Sequence, residues 1–271
     1  MSRGVRVTKM SGAGNDFLVL GPAEAAALGD RVVAWTRRVC RRGVSVGADG
    51  VLVVESAGSG RIDVRFLNPD GSPTFCGNGS RCAARYARLE GLAGDRMVLA
   101  TAWGDVPASV DQDRVTLELP APEDLGARSI RIGTEEVSGR LVRAGVPHLV
   151  VAVSDVGGDA LLRWGPTLRR HPLFAPDGVN VDLVAGSGDR LSIRTYERGV
   201  EGETLACGSG AVAAALAQRL VGGPGRVLVV PASGRVLVVE LPGPPTAPRA
   251  AILTGDALRI FDGIVTDEAE G

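Results

Sequence analysis

The feature that most constrains this chain is a phrase it contains twice. Phe75-Cys76-Gly77-Asn78-Gly79-Ser80 and Ala206-Cys207-Gly208-Ser209-Gly210-Ala211 each set a cysteine before two closely spaced glycines, and each runs into an alanine-rich stretch that reads as a helix. The flanks repeat as well. Asp63-Val64-Arg65-Phe66, a turn and Cys76-Gly77-x-Gly79 match Ser192-Ile193-Arg194-Thr195, a turn and Cys207-Gly208-x-Gly210. Self-similarity at half the chain length reads as an internal duplication. Duplicated folds commonly relate their copies by a pseudo-twofold axis, an arrangement expected to bring both cysteines to one cleft.

A chain of 271 residues is long enough for two domains of ordinary size. Its formal net charge of −1 offers neither nucleic acid nor a membrane surface an electrostatic footing. The opening Met1-Ser2-Arg3-Gly4-Val5-Arg6 has no apolar run of the signal-peptide kind, and no stretch approaches membrane-spanning length, so a cytoplasmic protein is expected. In that compartment Cys40, Cys76, Cys82 and Cys207 are expected as free thiols. No pair has CxxC spacing, so no metal site is expected. Lys9 is the one lysine in the chain, and a pyridoxal phosphate Schiff base would have to use it. Without a convincing dinucleotide turn or Walker loop either, no cofactor is expected.

Along the chain, Val5 to Met10 alternates as a strand, Ser11 to Asp16 breaks it with turn residues, and Phe17 to Leu20 resumes it. Asp30 reads as the N-cap of a helix to about Arg42. Val51–Val54 and Ile62–Phe66 read as strands, and Asn68 to Pro73 as a turn cluster. Helices are expected from roughly Gly79 to Leu89, from Asp159 to about Arg170, and over Ala211 to Ala217. Further strands fall near Met97–Ala102, Val106–Val110, Val115–Leu119, Val137–Arg143, His148–Val153, Val181–Val184 and Leu191–Tyr196. Pro120-Ala121-Pro122-Glu123-Asp124 is the expected domain junction.

Two opposed thiols suit one kind of chemistry. A base that removes a proton from one face of a carbon and an acid that returns one to the other face invert a stereocentre without redox change. Cysteine, with a reference pKa of about 8.5 that falls readily at a helix N-terminus, can serve in either state. The α-carbon of an amino acid is a very weak acid, so its carboxylate must be held where enolate charge develops. Backbone N–H groups at two glycine-opened helix starts can do that without a metal. The motifs therefore point to an α-carbon racemase or epimerase free of cofactor. A redox disulfide is the alternative, because thiols that share one carbon are close enough to oxidise. Cys40 and Cys82 read as small buried hydrophobes. His148 alone would be structural, Asn15, Asn68 and Asn180 have turn neighbours, and Glu197-Arg198 alone would be a solvated pair at a strand end.

Lys9-Met10-Ser11-Gly12-Ala13-Gly14-Asn15-Asp16-Phe17, Cys76-Gly77-Asn78-Gly79-Ser80-Arg81-Cys82, Tyr196-Glu197-Arg198-Gly199 and Ala206-Cys207-Gly208-Ser209-Gly210 closely resemble diaminopimelate epimerases. Gly145-Val146-Pro147-His148, Thr254-Gly255-Asp256 and Phe261-Asp262-Gly263 fit the same pattern, and the resemblance runs the length of the chain. It implies an isomerase that interconverts LL- and meso-diaminopimelate in lysine and peptidoglycan precursor biosynthesis without pyridoxal phosphate, and a homodimer. The implied fold class is α+β: two similar pseudo-symmetric α/β domains, each a mostly antiparallel, barrel-like sheet around a central helix, with the active site in the cleft. The domains expected are 1–120 with 260–271, and 121–259. On the same resemblance Cys76 and Cys207 are the acid–base pair, and His148 and Glu197 are polar groups that help the thiols. Gly77, Asn78, Gly208 and Ser209 are donors to the carboxylate at the reacting centre. Asn15, Asn68, Asn180, Glu197 and Arg198 bind substrate, Arg198 being suited to a distal carboxylate because its fork binds two oxygens.

The sequence departs from the family pattern at three places. Ser11 stands for a common histidine, Gly50 for a glutamine near the substrate, and Val146 for a substrate-contacting asparagine. The loop Gly199 to Thr204 is one residue longer than the commonest form. The rival readings are a proline or hydroxyproline racemase or epimerase of the same fold, a thiol redox protein, and a non-catalytic amino-acid-binding protein, which would need neither cysteine.

Overall fold

A computed structural model describes residues 4–270 of the chain. Met1 to Arg3, part of the expected leaderless start, and Gly271, the end of the expected first domain, lie outside the described residues. The chain divides into two compact units: residues up to Leu117 together with those from Gly255 onward, and Glu118–Thr254. Among the described residues no helix is long and apolar enough to cross a membrane.

The first unit is built on a tight hairpin. Strands Val5–Gly12 and Asn15–Leu20 pair antiparallel. Ala13 and Gly14 between them both take positive φ, 55° and 108°, as a two-residue hairpin turn requires. Asn15–Leu20 then pairs parallel with Gly50–Gly58, and the crossover is helices α1 (Pro22–Leu28) and α2 (Val32–Val39). Gly50–Gly58 turns back antiparallel on Arg61–Leu67, which runs parallel to Arg96–Thr101. That second crossover holds helix α3 (Gly77–Leu89). Arg96–Thr101 pairs antiparallel with Gly104–Asp111, and Leu258–Val265 joins the far side of Val5–Gly12.

Strand alternation sorts side chains onto two faces. Leu18, Leu20, Val51 and Val53 pack outward against Trp35 and Val39 of α2 and Leu28 of α1. Phe17 and Leu52 point the other way, to the first turn of α3. Helix α3 packs against strands from Val5–Gly12 through Gly104–Asp111, so the sheet wraps around it.

The second unit repeats this order of pairings. Glu135–Ala144 and Val146–Ala152 are antiparallel, and Val146–Ala152 runs parallel to Asn180–Ser187 across helix α4 (Ala160–Arg169). Asn180–Ser187 turns back on Arg190–Glu197, which runs parallel to Arg226–Val230 across helix α5 (Gly208–Leu220). Arg226–Val230 pairs antiparallel with Leu237–Glu240. Leu161 and Leu168 of α4 cover the outer face, with Leu149, Val151, Val181 and Leu183 beneath them. Helix α5 is surrounded by strands and buries Ala211 through Leu216.

The fold class is therefore two α/β units, each a mostly antiparallel sheet around a central helix. One local expectation needs correction. Asp30 caps no helix: it lies in a 3-10 turn, Gly29–Arg31, that links α1 to α2, and Arg31 occupies the N-cap. The reason is an earlier start, with Pro22 at the first position of α1, where its missing N–H costs nothing. The Pro-rich junction gives way at once to a ten-residue strand, Glu123–Ile132, that pairs with Glu135–Ala144.

Candidate active site

Each cysteine of the repeated phrase is the N-cap of a central helix. Cys76 precedes α3 with φ −142° and ψ 117°, and Cys207 precedes α5 with φ −121° and ψ 113°. Extended backbone at that position turns the side chain back over the first helical turn, where N–H groups lack intrahelical acceptors. Cys76 Sγ accepts from the Gly79 N–H at 3.4 Å. The glycines allow close approach: at Gly210 a Cβ would stand 2.7 Å from Asp182 Oδ1, and at Gly12 one would stand 2.7 Å from the Asn78 carbonyl oxygen. Strand and helix start can touch there only without side chains.

In the first unit the Cys76 turn is tied to the hairpin. Asn78 Nδ2 donates to Asn15 Oδ1, and Asn15 Nδ2 donates to Asp49 Oδ2 at 3.0 Å. The fully buried Arg81 donates from Nη2 to Asn78 Oδ1 at 2.8 Å, which fixes the orientation of that amide, and from Nε to the Asp256 carbonyl at 3.3 Å. Asp256 Oδ1 in turn accepts the Ala13 N–H at 2.8 Å. Asp49 is held by Arg42 at 2.7 Å, and Arg42 also pairs with Asp16. Lys9 is buried against Asp16 at 2.6 Å and donates to the Gly47 carbonyl. The lysine is thus committed to an ion pair that braces the hairpin. Burial lowers the Arg81 pKa, opposed by Cys82, Cys76 and Asp256.

In the second unit the buried groups form one chain. His148 Nδ1 lies 2.7 Å from Asp182 Oδ2, and Thr195 Oγ1 donates to Asp182 Oδ1 at 2.7 Å. On its other side His148 Nε2 meets Ser209 Oγ at 3.0 Å and Asn180 Nδ2 at 3.2 Å. Ser209 Oγ is 3.4 Å from Cys207 Sγ. Asn180 Oδ1 accepts the Arg198 N–H at 2.7 Å. Burial pushes the Cys207 thiol well above its usual pKa, and Glu197 and Asp182 push it further. Hydrogen bonds from Ser209 and the Gly210 N–H pull it back only in part. The helix start alone does not make this thiol acidic: desolvation outweighs it.

The structure brings most of the expected residues together in two half-sites: Asn15, Gly77 and Asn78 around Cys76, and His148, Asn180, Glu197, Gly208 and Ser209 around Cys207. Arg198 joins the second group through its backbone, while its guanidinium reaches the Asp177 carbonyl at 3.5 Å. The Asn68 amide donates to Ser72 at 3.0 Å within its own turn. A side chain at Gly50 would meet Phe66 Cε2 at 2.3 Å, so that position has no room for the glutamine-sized group of the family pattern. Cys82 is fully buried on α3, and burial raises Cys40 to about 12, as expected of packed thiols.

Asp182, Thr195, Asp49, Arg81 and Asp256 escaped the sequence reading. For Asp182 a signal existed. Asn180-Val181-Asp182 places two polar side chains on one face of an apolar strand. The parallel register sets Asn180 opposite His148, and the antiparallel register sets Asp182 opposite Thr195.

The chain resembles known proteins along most of its length. The family model for diaminopimelate epimerase matches residues 7–121 and 140–255. The chain is 36% identical to the diaminopimelate epimerase of Aquifex aeolicus, covering 96% of this chain and 97% of that one. It is 37% identical to the diaminopimelate epimerase of Archaeoglobus fulgidus, covering 96% of each. Among solved structures, the fold matches a probable proline racemase from Agrobacterium radiobacter with a TM-score of 0.71 at 17% identity, covering 98% of this chain and 96% of that one. It also matches a hydroxyproline epimerase from Agrobacterium vitis at 0.70 and 20%, covering 99% and 94%. Family model, full-length relatives and half-site residues converge: the chain belongs to the diaminopimelate epimerase family.

Proposed function

We propose that this protein interconverts LL- and meso-diaminopimelate by a two-thiol mechanism that uses no cofactor. The observation that carries the proposal is the equivalence of Cys76 and Cys207, each the residue before a 13-residue central helix in units of the same topology. A thiolate takes the α-proton, the electron pair moves into the adjoining carboxylate, and the other thiol returns a proton to the opposite face of the carbon. One S–H bond forms and one breaks in each turnover, so the enzyme's proton count is unchanged.

Burial raises the Cys207 thiol well above its usual pKa. Each thiol is the base for one isomer and the acid for the other. Backbone N–H groups of Gly77, Asn78, Gly208 and Ser209 are placed at helix starts, where they suit a carboxylate that gains charge. Asn15, Asn68, Asn180, Glu197 and Arg198 are proposed to bind the rest of the substrate.

Cys76→Ala and Cys207→Ala should each abolish epimerisation, a loss of at least about 10³-fold, while Cys82→Ala should lower the unfolding midpoint and leave turnover near the parent. Full activity in Cys207→Ala would overturn the mechanism. Assays with proline and hydroxyproline test the related activities of the same fold.

A further inference from the structure

The geometry points to a role for the Ser209 hydroxyl, with Asn180, as a reversible hydrogen-bond switch that lets Cys207 alternate between thiol and thiolate. The inference rests on the two-thiol reading, which requires Cys207 to hold a proton in one half of the cycle and none in the other.

The polarity of the buried chain is fixed from both ends. The Arg198 N–H can only donate, so the atom of Asn180 that meets it at 2.7 Å is Oδ1, and the amide nitrogen must face His148 Nε2. Asp182 Oδ2, 2.7 Å from Nδ1, takes the ring proton on the other side, with Thr195 donating to the second carboxylate oxygen. Nε2 is therefore an acceptor, and an imidazole nitrogen has one lone pair in the ring plane. Two donors compete for it: Ser209 Oγ–H at 3.0 Å and Asn180 Nδ2–H at 3.2 Å. Ser209 has one proton and two neighbours that could take it, His148 Nε2 and, at 3.4 Å, Cys207 Sγ.

The surplus donor has a use. When Cys207 is a thiol, S–H donates to Ser209 Oγ, and Ser209 donates onward to Nε2. When Cys207 is a thiolate, the hydroxyl turns to donate to sulfur, and Asn180 Nδ2–H takes over the lone pair of Nε2. The one proton that leaves in the change is the Cys207 S–H proton itself, which passes to the substrate carbon, and Nε2 keeps a donor in both states. Without the second donor, each ionisation of Cys207 would leave Nε2 unpaired inside the protein, at a cost of about 1–3 kcal/mol. His148 and Asp182 are both fully buried, away from bulk solvent. Ser209 and Asn180 act here through Cys207 and His148, and are positioning residues in this role.

The test reads the thiol directly. In a Cys76→Ala protein without substrate, the rate of iodoacetamide alkylation at Cys207 is followed against pH by mass spectrometry of its peptide. The titratable groups facing Cys207 are Glu197, Asp182 and His148, and all three are kept. Ser209→Ala should raise the midpoint by about one to two pH units, a ~10- to 100-fold loss of thiolate at fixed pH, because the thiolate loses its donor. Ser209→Thr, which keeps the hydroxyl, should titrate as the parent. Asn180→Leu should raise the midpoint when Ser209 is present but not in a Ser209→Ala background, where Nε2 depends on Asn180 in both states. An unchanged midpoint in Ser209→Ala, or an Asn180→Leu shift of equal size in both backgrounds, would overturn the switch. Failure of the epimerase reading is separate: it would show as no substrate turnover while these midpoints still move.

Discussion

Asp16 illustrates how single residues keep the first half-site in place. Burial works against its ionised form, but hydrogen bonds and charge from Arg42 and Lys9 outweigh it and hold its pKa below the ordinary value. A carboxylate depressed in the folded state stabilises the fold fully above its unfolded pKa. That stability is lost as pH falls through the folded value. Urea midpoints measured from pH 6 downward should therefore decline as Asp16 takes up its proton, and Asp16→Asn should be less stable at pH 6 with a flatter decline. An identical pH dependence in both proteins would remove Asp16 from the account. At this scale Cys76 and Cys207 were legible because an N-cap followed by small residues is a local pattern. Asp49 was not, since it gains its role from Asn15, 34 positions away, and for Asp182 the strand alternation gave a face but not the partner, His148. Asn68 shows the opposite case. Its local turn chemistry proved sufficient to account for its contacts.

At the scale of elements, the two central helices differ from the outer ones by what surrounds them. Helix α5 carries Ala211, Ala213, Ala214 and Ala215 because strands close around it on every side, and small side chains allow that approach. Ala214 is 1% exposed. Ala214→Leu should destabilise the protein by about 1–3 kcal/mol through overpacking. Trp35, fully buried where α2 meets the outer sheet face, should cost about 3–5 kcal/mol when cut to alanine. Chemical denaturation checks both, and a neutral Ala214→Leu would contradict the wrapped-helix description. The core-facing spacing of α3 and the almost uniformly apolar run of α5 made these helices readable in advance. The break between α1 and α2 was not, because Gly29 takes φ +50° and a 3-10 turn carries the chain across it. Glu123–Ile132 was missed because its polar and charged residues hide the alternation that its partner strand reveals.

At the scale of the molecule, duplication organises the chain. Both units repeat the order antiparallel, parallel, antiparallel, parallel, antiparallel, with a central helix in the second crossover, and both put a cysteine at the mouth of that helix. That order was foreshadowed by the repeated Cys-Gly-x-Gly phrase and its matching upstream strands. The copies have since diverged in their surroundings. Cys76 rests on an asparagine pair braced by ion pairs, whereas Cys207 rests on a buried serine–histidine–aspartate chain. The central claim is that these thiols exchange an α-proton with solvent while inverting the carbon. The measurement that tests it most directly is incubation of the reduced protein with LL-diaminopimelate in deuterated water, followed by mass spectrometry and chiral separation. The account predicts one solvent deuterium on the α-carbon of each meso product formed. Conversion without label, or neither label nor conversion in reduced protein, would contradict it.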